Sequence, residues 1–143
     1  LRFEIERGLF DGSINVDELP AVWSAKMKQY FDVEGPSDKL GCLQDVHWPS
    51  LSYGYFPSYT LGAMTAAQLY AYLDRKALPG MADRIRKGQF SEIKSWLNEH
   101  FHSKGSLYPS LDELLEAVSG EKLNPAYFIE YLRKKYSAIY SLN

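Results

Sequence analysis

Apolar residues return every three or four positions along most of this chain, and short clusters of Gly, Pro, Asp and Ser interrupt them. In LRFEIERGLF, Leu1, Ile5 and Leu9 share one stripe, with Phe3 and Phe10 off it. The turn-forming DGS at residues 11–13 ends that helix. NVDELPAVWSAKMKQYF then brings Leu19, Val22, Trp23, Met27, Tyr30 and Phe31 onto a second helical face. Pro20 fits its first turn, or marks where a short opening turn gives way to the longer helix. SYTLGAMTAAQLYAYLDRKA is the cleanest helix, with Leu61, Met64, Thr65, Gln68, Leu69 and Tyr72 on one broad face. Its small residues Gly62, Ala63, Ala66, Ala67 and Ala71 permit close approach of a neighbouring helix. Pro79 and Gly80 break or bend the chain, and residues 81–105 read as two short helices joined near Gly88. Ser110 caps a further helix that carries Asp112 and Glu113 in its first turn and closes at Gly120. Asn124 and Pro125 open the last one.

No stretch alternates for long enough to predict a sheet. The pattern predicts an all-α, multi-helix domain with one long aromatic-rich loop, compatible with a short hairpin near residues 44–55. Residues 1–77 would carry that loop and the helices around it, and residues 78–143 a helical tail packed on them, as one structural domain.

That loop, GCLQDVHWPSLSYGYFPSYTLG at residues 41–62, concentrates aromatic rings with a His and a Gln–Asp pair. A connection of this length without regular structure is usually functional or disordered, and its aromatic content argues against disorder.

At 143 residues, with 45% hydrophobic and 24% charged, the chain can bury a core and falls among globular proteins. A net charge of −2 supplies no basic field for nucleic acid or an anionic membrane surface. No apolar run reaches the roughly 20 residues of a membrane span. Cys42 is the single cysteine, which excludes an internal disulfide and points to a reducing, cytoplasmic setting. The chain starts without Met and already inside a helical pattern, so it reads as a piece of something longer.

The catalytic chemistry is sparse. Zinc needs three or four converging ligands, against the three histidines and one cysteine here. His100 and His102 would point about 200° apart on a helix, so they read as polar residues near a helix end. No G-x-S-x-G elbow occurs, and Cys42 with His47 five positions later reads better as a small buried thiol than as a dyad. What remains is the loop. His47 offers ring nitrogens, and Asp45 two residues earlier could fix its tautomer. Tyr53, Tyr55 and Tyr59 offer phenolic donors and Gln44 an amide. Such donors suit a developing oxyanion or a substrate carbonyl or carboxylate. An aromatic plug between helices, in a non-enzymatic interaction module, uses the same residues.

Two segments resemble a known family. GCLQDVHW at residues 41–48 fills every specified position of the G-x-x-Q-D-x-H-W motif of Taq-type thermostable carboxypeptidases. GYFPSYTLG at residues 54–62 is similar to the segment that follows it there, as are AAQL at residues 66–69 and LRFEIE at residues 1–6. The resemblance is strongest over residues 1–75. It implies a mostly helical metallopeptidase that removes single residues from peptide C-termini. The family's metal, usually zinc, is held by an H-E-x-x-H helix and a further Glu, with the motif Glu activating water. Those elements would all lie before Leu1. The resemblance therefore implies a C-terminal, substrate-binding portion that is inactive alone and holds no metal of its own. It assigns catalytic roles to His47, Tyr55 and Tyr59, and supporting roles to Gln44, Asp45 and Tyr53. Tyr53 stands where Phe is common in the family, and Pro49 stiffens a stretch that is often Ser- and Gly-rich there. Arg2 is a further supporting candidate, since its fork suits a terminal carboxylate, but the family's carboxylate-binding Arg would lie before Leu1 and an ordinary helix-surface ion pair fits Arg2 better. The implied partners are peptide C-termini, the N-terminal remainder of the same polypeptide, and a second copy in a homodimer.

Overall fold

The computed structural model describes residues 1–142. Seven α-helices follow in order: α1 Arg2–Asp11, α2 Leu19–Phe31, α3 Phe56–Tyr72, α4 Met81–Arg86, α5 Ser91–His100, α6 Leu111–Ser119 and α7 Ala126–Tyr140. Single 3₁₀ turns lie at Val16–Glu18, Asp38–Leu40, Cys42–Gln44 and His102–Lys104, and a π turn at Leu73–Ala77 extends α3. The described residues contain no strand, so the expected all-α class holds and the hairpin near residues 44–55 does not form. None of the helices is long and apolar enough to cross a membrane.

Contacts divide the chain into two compact units, Leu1–Thr60 and Leu61–Asn143, so the division falls inside α3.

In the first unit, Gly12 at φ 78° turns the chain out of α1 in the left-handed region that glycine adopts without strain. Asn15 and Glu18 then form a reciprocal capping box. The opening turn ends there, and Pro20 sits in the first turn of α2. The stripe on α1 is buried as its spacing requires. Ile5, Trp23 and Cys42 form the core, with Leu1, Leu9, Leu19, Val22, Met27 and Trp48 packed around it. Burying Ile5 completely contributes about 1.5–3 kcal/mol. Tyr30 and Phe31, expected on the same face of α2, are instead exposed at its last turn. Tyr30 donates its hydroxyl to Glu4, which also pairs with Lys26 at 2.7 Å.

In the second unit, Leu69, Leu73, Met81, Leu114 and Leu115 are buried. Gln68 is buried with them, its amide nitrogen and oxygen both hydrogen-bonded. Its amide donates to the carbonyls of Glu121 and Lys122 and accepts from the Asn124 N–H at 2.8 Å. Ser110 caps α6 by accepting from the Glu113 N–H. The side chain of Asn124 accepts from Ala126 N at 2.9 Å at the start of α7. The small residues Ala63, Ala66 and Ala67 of α3 line an open groove with Phe128 and Tyr131 of α7.

Candidate functional site

The segment between α2 and α3 meets its backbone hydrogen-bonding needs by turns. Gln44 N–H donates to Gly41 O at 3.1 Å and Asp45 N–H to Cys42 O at 3.2 Å. Gly41 is buried, and a Cβ there would stand 3.2 Å from the Ser37 carbonyl oxygen and 3.4 Å from Trp23. After Asp45, Ser50 and Ser52 donate to His47 O at 3.1 and 2.9 Å, and Leu51 to Trp48 O. Leu51 takes φ 57°, a left-handed turn conformation that a side chain rarely adopts. These turns replace the ladder of the expected hairpin.

Asp45 organises the site. Its Oδ1 accepts the backbone N–H groups of His47 and Trp48 at 2.9 and 3.0 Å. Its Oδ2 accepts from Arg2 Nε at 2.9 Å and faces His47 Nδ1 at 3.2 Å. The Asp45 side chain is only 1% exposed. Burial pushes its carboxyl upward, but the Trp48 amide, the His47 ring and amide, and Arg2 outweigh it and hold the pKa below the ordinary aspartate value. An ionised carboxylate only accepts, so His47 Nδ1 carries a hydrogen. In the neutral ring Nε2 is then the acceptor, and it meets the Tyr59 hydroxyl at 3.1 Å. The order Arg2–Asp45–His47–Tyr59 thus links α1, the loop and the first turn of α3.

Aromatic rings surround His47. Tyr55 stacks on it at 6.0 Å, Phe56 lies at 4.9 Å and Tyr59 stands edge-on at 5.9 Å. Tyr55 and Tyr59 are also edge to face, at 5.2 Å. Phe56 is buried, whereas Tyr55 and Tyr59 leave 48% and 58% of their surface to solvent. His47 lies between, its side chain 24% exposed. The phenols are therefore on the accessible side of the cluster.

The remaining expected residues fall elsewhere. The Gln44 amide donates to the Lys39 carbonyl, so it ties the loop to itself and not to His47. Tyr53 packs edge-on against Phe10 at 5.2 Å. Arg2 is engaged by Asp45 and lies 5.1 Å from the centre of the Trp23 ring, as an internal ion pair. Cys42 is buried in the core. His100 stacks on Trp96 and faces its carbonyl oxygen, while His102 faces Asn98.

Glu6 was not singled out by sequence. It is buried, and its two oxygens accept from Trp48 Nε1 at 3.0 Å and Gly54 N at 2.7 Å. Nothing in the helical pattern separates it from the exposed Glu4 two residues earlier.

The depressed pKa of Asp45 fixes a pH dependence. A lowered folded-state pKa means that the unfolded chain binds this proton more readily. The associated stability is present above the ordinary aspartate pKa of about 3.9 and is lost as pH falls through the lower folded value. Urea unfolding followed from pH 6 to pH 2 should show the advantage of the parent chain over Asp45→Asn shrinking below about pH 4. A constant difference across that range would remove Asp45 as its source.

Among the described residues, no group of three or more His, Cys, Asp or Glu side chains could hold a metal ion. The donors gathered around His47 do not fit one either. Both ring nitrogens face partners, Asp45 Oδ2 and the Tyr59 hydroxyl, and the other neighbours are the rings of Tyr55 and Phe56. This donor set fits a carbonyl oxygen or an oxyanion.

The family model described as Carboxypeptidase Taq (M32) metallopeptidase matches residues 1–136. Carboxypeptidase 1 of Bacillus subtilis is 42% identical over 142 residues, which is 99% of this chain and 28% of that protein. Thermostable carboxypeptidase 1 of Pyrococcus furiosus is 38% identical over 136 residues, 95% of this chain and 27% of that protein. Among solved structures, Trypanosoma cruzi metallocarboxypeptidase 1 superposes with a TM-score of 0.87 at 46% identity, covering 94% of this chain and 28% of that one. The M32 carboxypeptidase of Deinococcus radiodurans gives a TM-score of 0.88 at 34% identity, over 99% of this chain and 28% of that one. The chain thus spans little more than a quarter of the length of these relatives, a share consistent with a C-terminal portion.

Proposed function

Since the chain belongs to the Carboxypeptidase Taq (M32) metallopeptidase family, we propose that it is the substrate-binding, transition-state-stabilising C-terminal portion of a metal-dependent carboxypeptidase. The observation that carries this reading is a half-buried His47, locked on one side by Asp45 and flanked on the accessible side by Tyr55 and Tyr59. A divalent metal, zinc in our reading, would be held by polypeptide outside this chain, and the chain alone would not hydrolyse peptides.

Peptide hydrolysis turns a planar carbonyl into a tetrahedral oxyanion, and preorganised donors that meet the oxygen as charge develops accelerate that step. In this chain Asp45 keeps the Nδ1 hydrogen in place, so any second proton on His47 resides at Nε2. With Nε2 unprotonated, the Tyr59 O–H is directed at His47. With Nε2 protonated, that N–H donates to the Tyr59 oxygen, and the phenolic hydrogen turns outward. Tyr55 stacks alongside as a second phenolic donor. The site's function is then to bind and orient the scissile carbonyl and to donate hydrogen bonds to it.

Tyr59→Phe tests the assignment in the longer enzyme, because it deletes one hydroxyl and keeps the ring. The expected result is a loss of about tenfold in kcat with metal content unchanged, below the 10²–10³ range for an unsupported oxyanion donor because Tyr55 remains. Unaltered kcat would remove Tyr59 from the site.

A further inference from the structure

We infer that Glu6 is a positioning residue for this site, holding the loop by both flanks so that His47 and Tyr55 face a substrate in register; the inference rests on the function proposed above. The carboxyl of Glu6 is buried at 5% exposure on α1, outside the chain of contacts that reaches Tyr59. One oxygen accepts from the indole N–H of Trp48, the residue that follows His47, at 3.0 Å. The other accepts from the backbone N–H of Gly54, the residue that precedes Tyr55, at 2.7 Å. One side chain therefore fixes the two points from which the donors project. Between them lies a turn with Leu51 at φ 57° and Gly54 at φ 71°. Gly54 adopts this left-handed region without strain, whereas at Leu51 it persists because surrounding contacts over-determine it. The Trp48 ring is held on its other sides, edge-on to Trp23 at 6.5 Å and to Phe56 at 5.9 Å. Its indole N–H consequently has a fixed direction.

Two N–H donors converge on Glu6, and this makes Glu6→Gln a sharp test. The amide has nearly the same shape, but only its oxygen accepts, so its NH₂ must face one of the two donors. One end of the loop is released. Displacements of about 1 Å at a reacting centre cost up to 10²-fold, so a loss of about tenfold in kcat is expected in the longer enzyme. The decisive comparison is made in the Tyr55→Phe background. If Glu6 acts by placing Tyr55, Glu6→Gln should lower kcat far less there than in the parent enzyme. A residue serving folding alone would give the same factor in both backgrounds. Metal content and thermal midpoint are followed alongside.

The outcomes separate cleanly. A large loss in the parent enzyme and a small one in the Tyr55→Phe background supports the inference. Equal factors in both, or no loss from Glu6→Gln while Tyr55→Phe is impaired, overturns it and leaves the proposed function standing. An unimpaired Tyr55→Phe enzyme overturns the proposed function itself. Should Glu6→Gln fail to fold, Trp48→Phe removes only the indole donor. Its kcat loss should then disappear in the His47→Ala background, and persistence there overturns the inference.

Discussion

His47→Ala in the longer enzyme is expected to lower kcat by about 10²- to 10³-fold, and Tyr55→Phe to have an effect toward the lower end of that range. Bound metal should stay at the parent level in both. His47 Nδ1 faces a carboxylate that is 1% exposed and held ionised, so a flip of the ring forfeits that charge-assisted hydrogen bond and leaves Arg2 as the oxygen's remaining partner. Its other edge faces the accessible phenols. A ring fixed on one side and paired with an accessible phenol on the other needs little reorganisation when charge develops, which makes a preorganised donor effective. Removal of the imidazole also releases Tyr59 from its partner, so the loss should exceed that of Tyr59→Phe. A fall in metal content parallel to kcat would instead make His47 a support for the metal centre.

The second large effect concerns stability. Asp45→Ala is expected to destabilise the chain by about 3 kcal/mol, measured as a lower urea midpoint at unchanged m-value. The carboxylate accepts from two backbone amides, those of His47 and Trp48. Each amide left without an acceptor costs about 1–3 kcal/mol. Arg2 contributes little to the total, because its side chain is 42% exposed and regains water when the pair is broken. Asp45→Asn should cost less, since its amide oxygen still accepts from those amides. A loss below about 1 kcal/mol for Asp45→Ala would mean that the loop is held mainly by Glu6 and aromatic packing.

Much of the fold is legible in the sequence because helices announce themselves by period. The Leu1, Ile5, Leu9 stripe, Pro20 in the first turn of α2, and the Ser110 and Gly120 ends of α6 all depend on residues close in sequence. Tyr30 and Phe31 departed from expectation because a helical face continues past the point where a neighbour stops covering it. The loop misled in another way. Its pattern left room for a short hairpin near residues 44–55, yet Asp45 turned the backbone by accepting two amides, and single turns followed.

Within the site, the Asp45–His47 contact was readable from spacing, since an aspartate two residues ahead can reach both amide and ring. Tyr59 is twelve positions from His47, and only the start of α3 brings the two together. Residue chemistry offered Tyr59 only as one of three phenols near His47, and the family resemblance set it beside Tyr55 without pairing it to the ring. Glu6 stayed hidden because a buried glutamate on a helix is marked by its partners, and those lie 42 and 48 positions away.

The most direct measurement is the affinity of a tetrahedral phosphonate peptide for the longer enzyme and its His47→Ala and Tyr55→Phe variants, set beside kcat/KM for the matching substrate. Donors that act on the oxyanion predict that phosphonate affinity and kcat/KM fall by similar factors, while affinity for the product peptide changes much less. Phosphonate affinity that holds at the parent value while kcat/KM collapses would contradict the account.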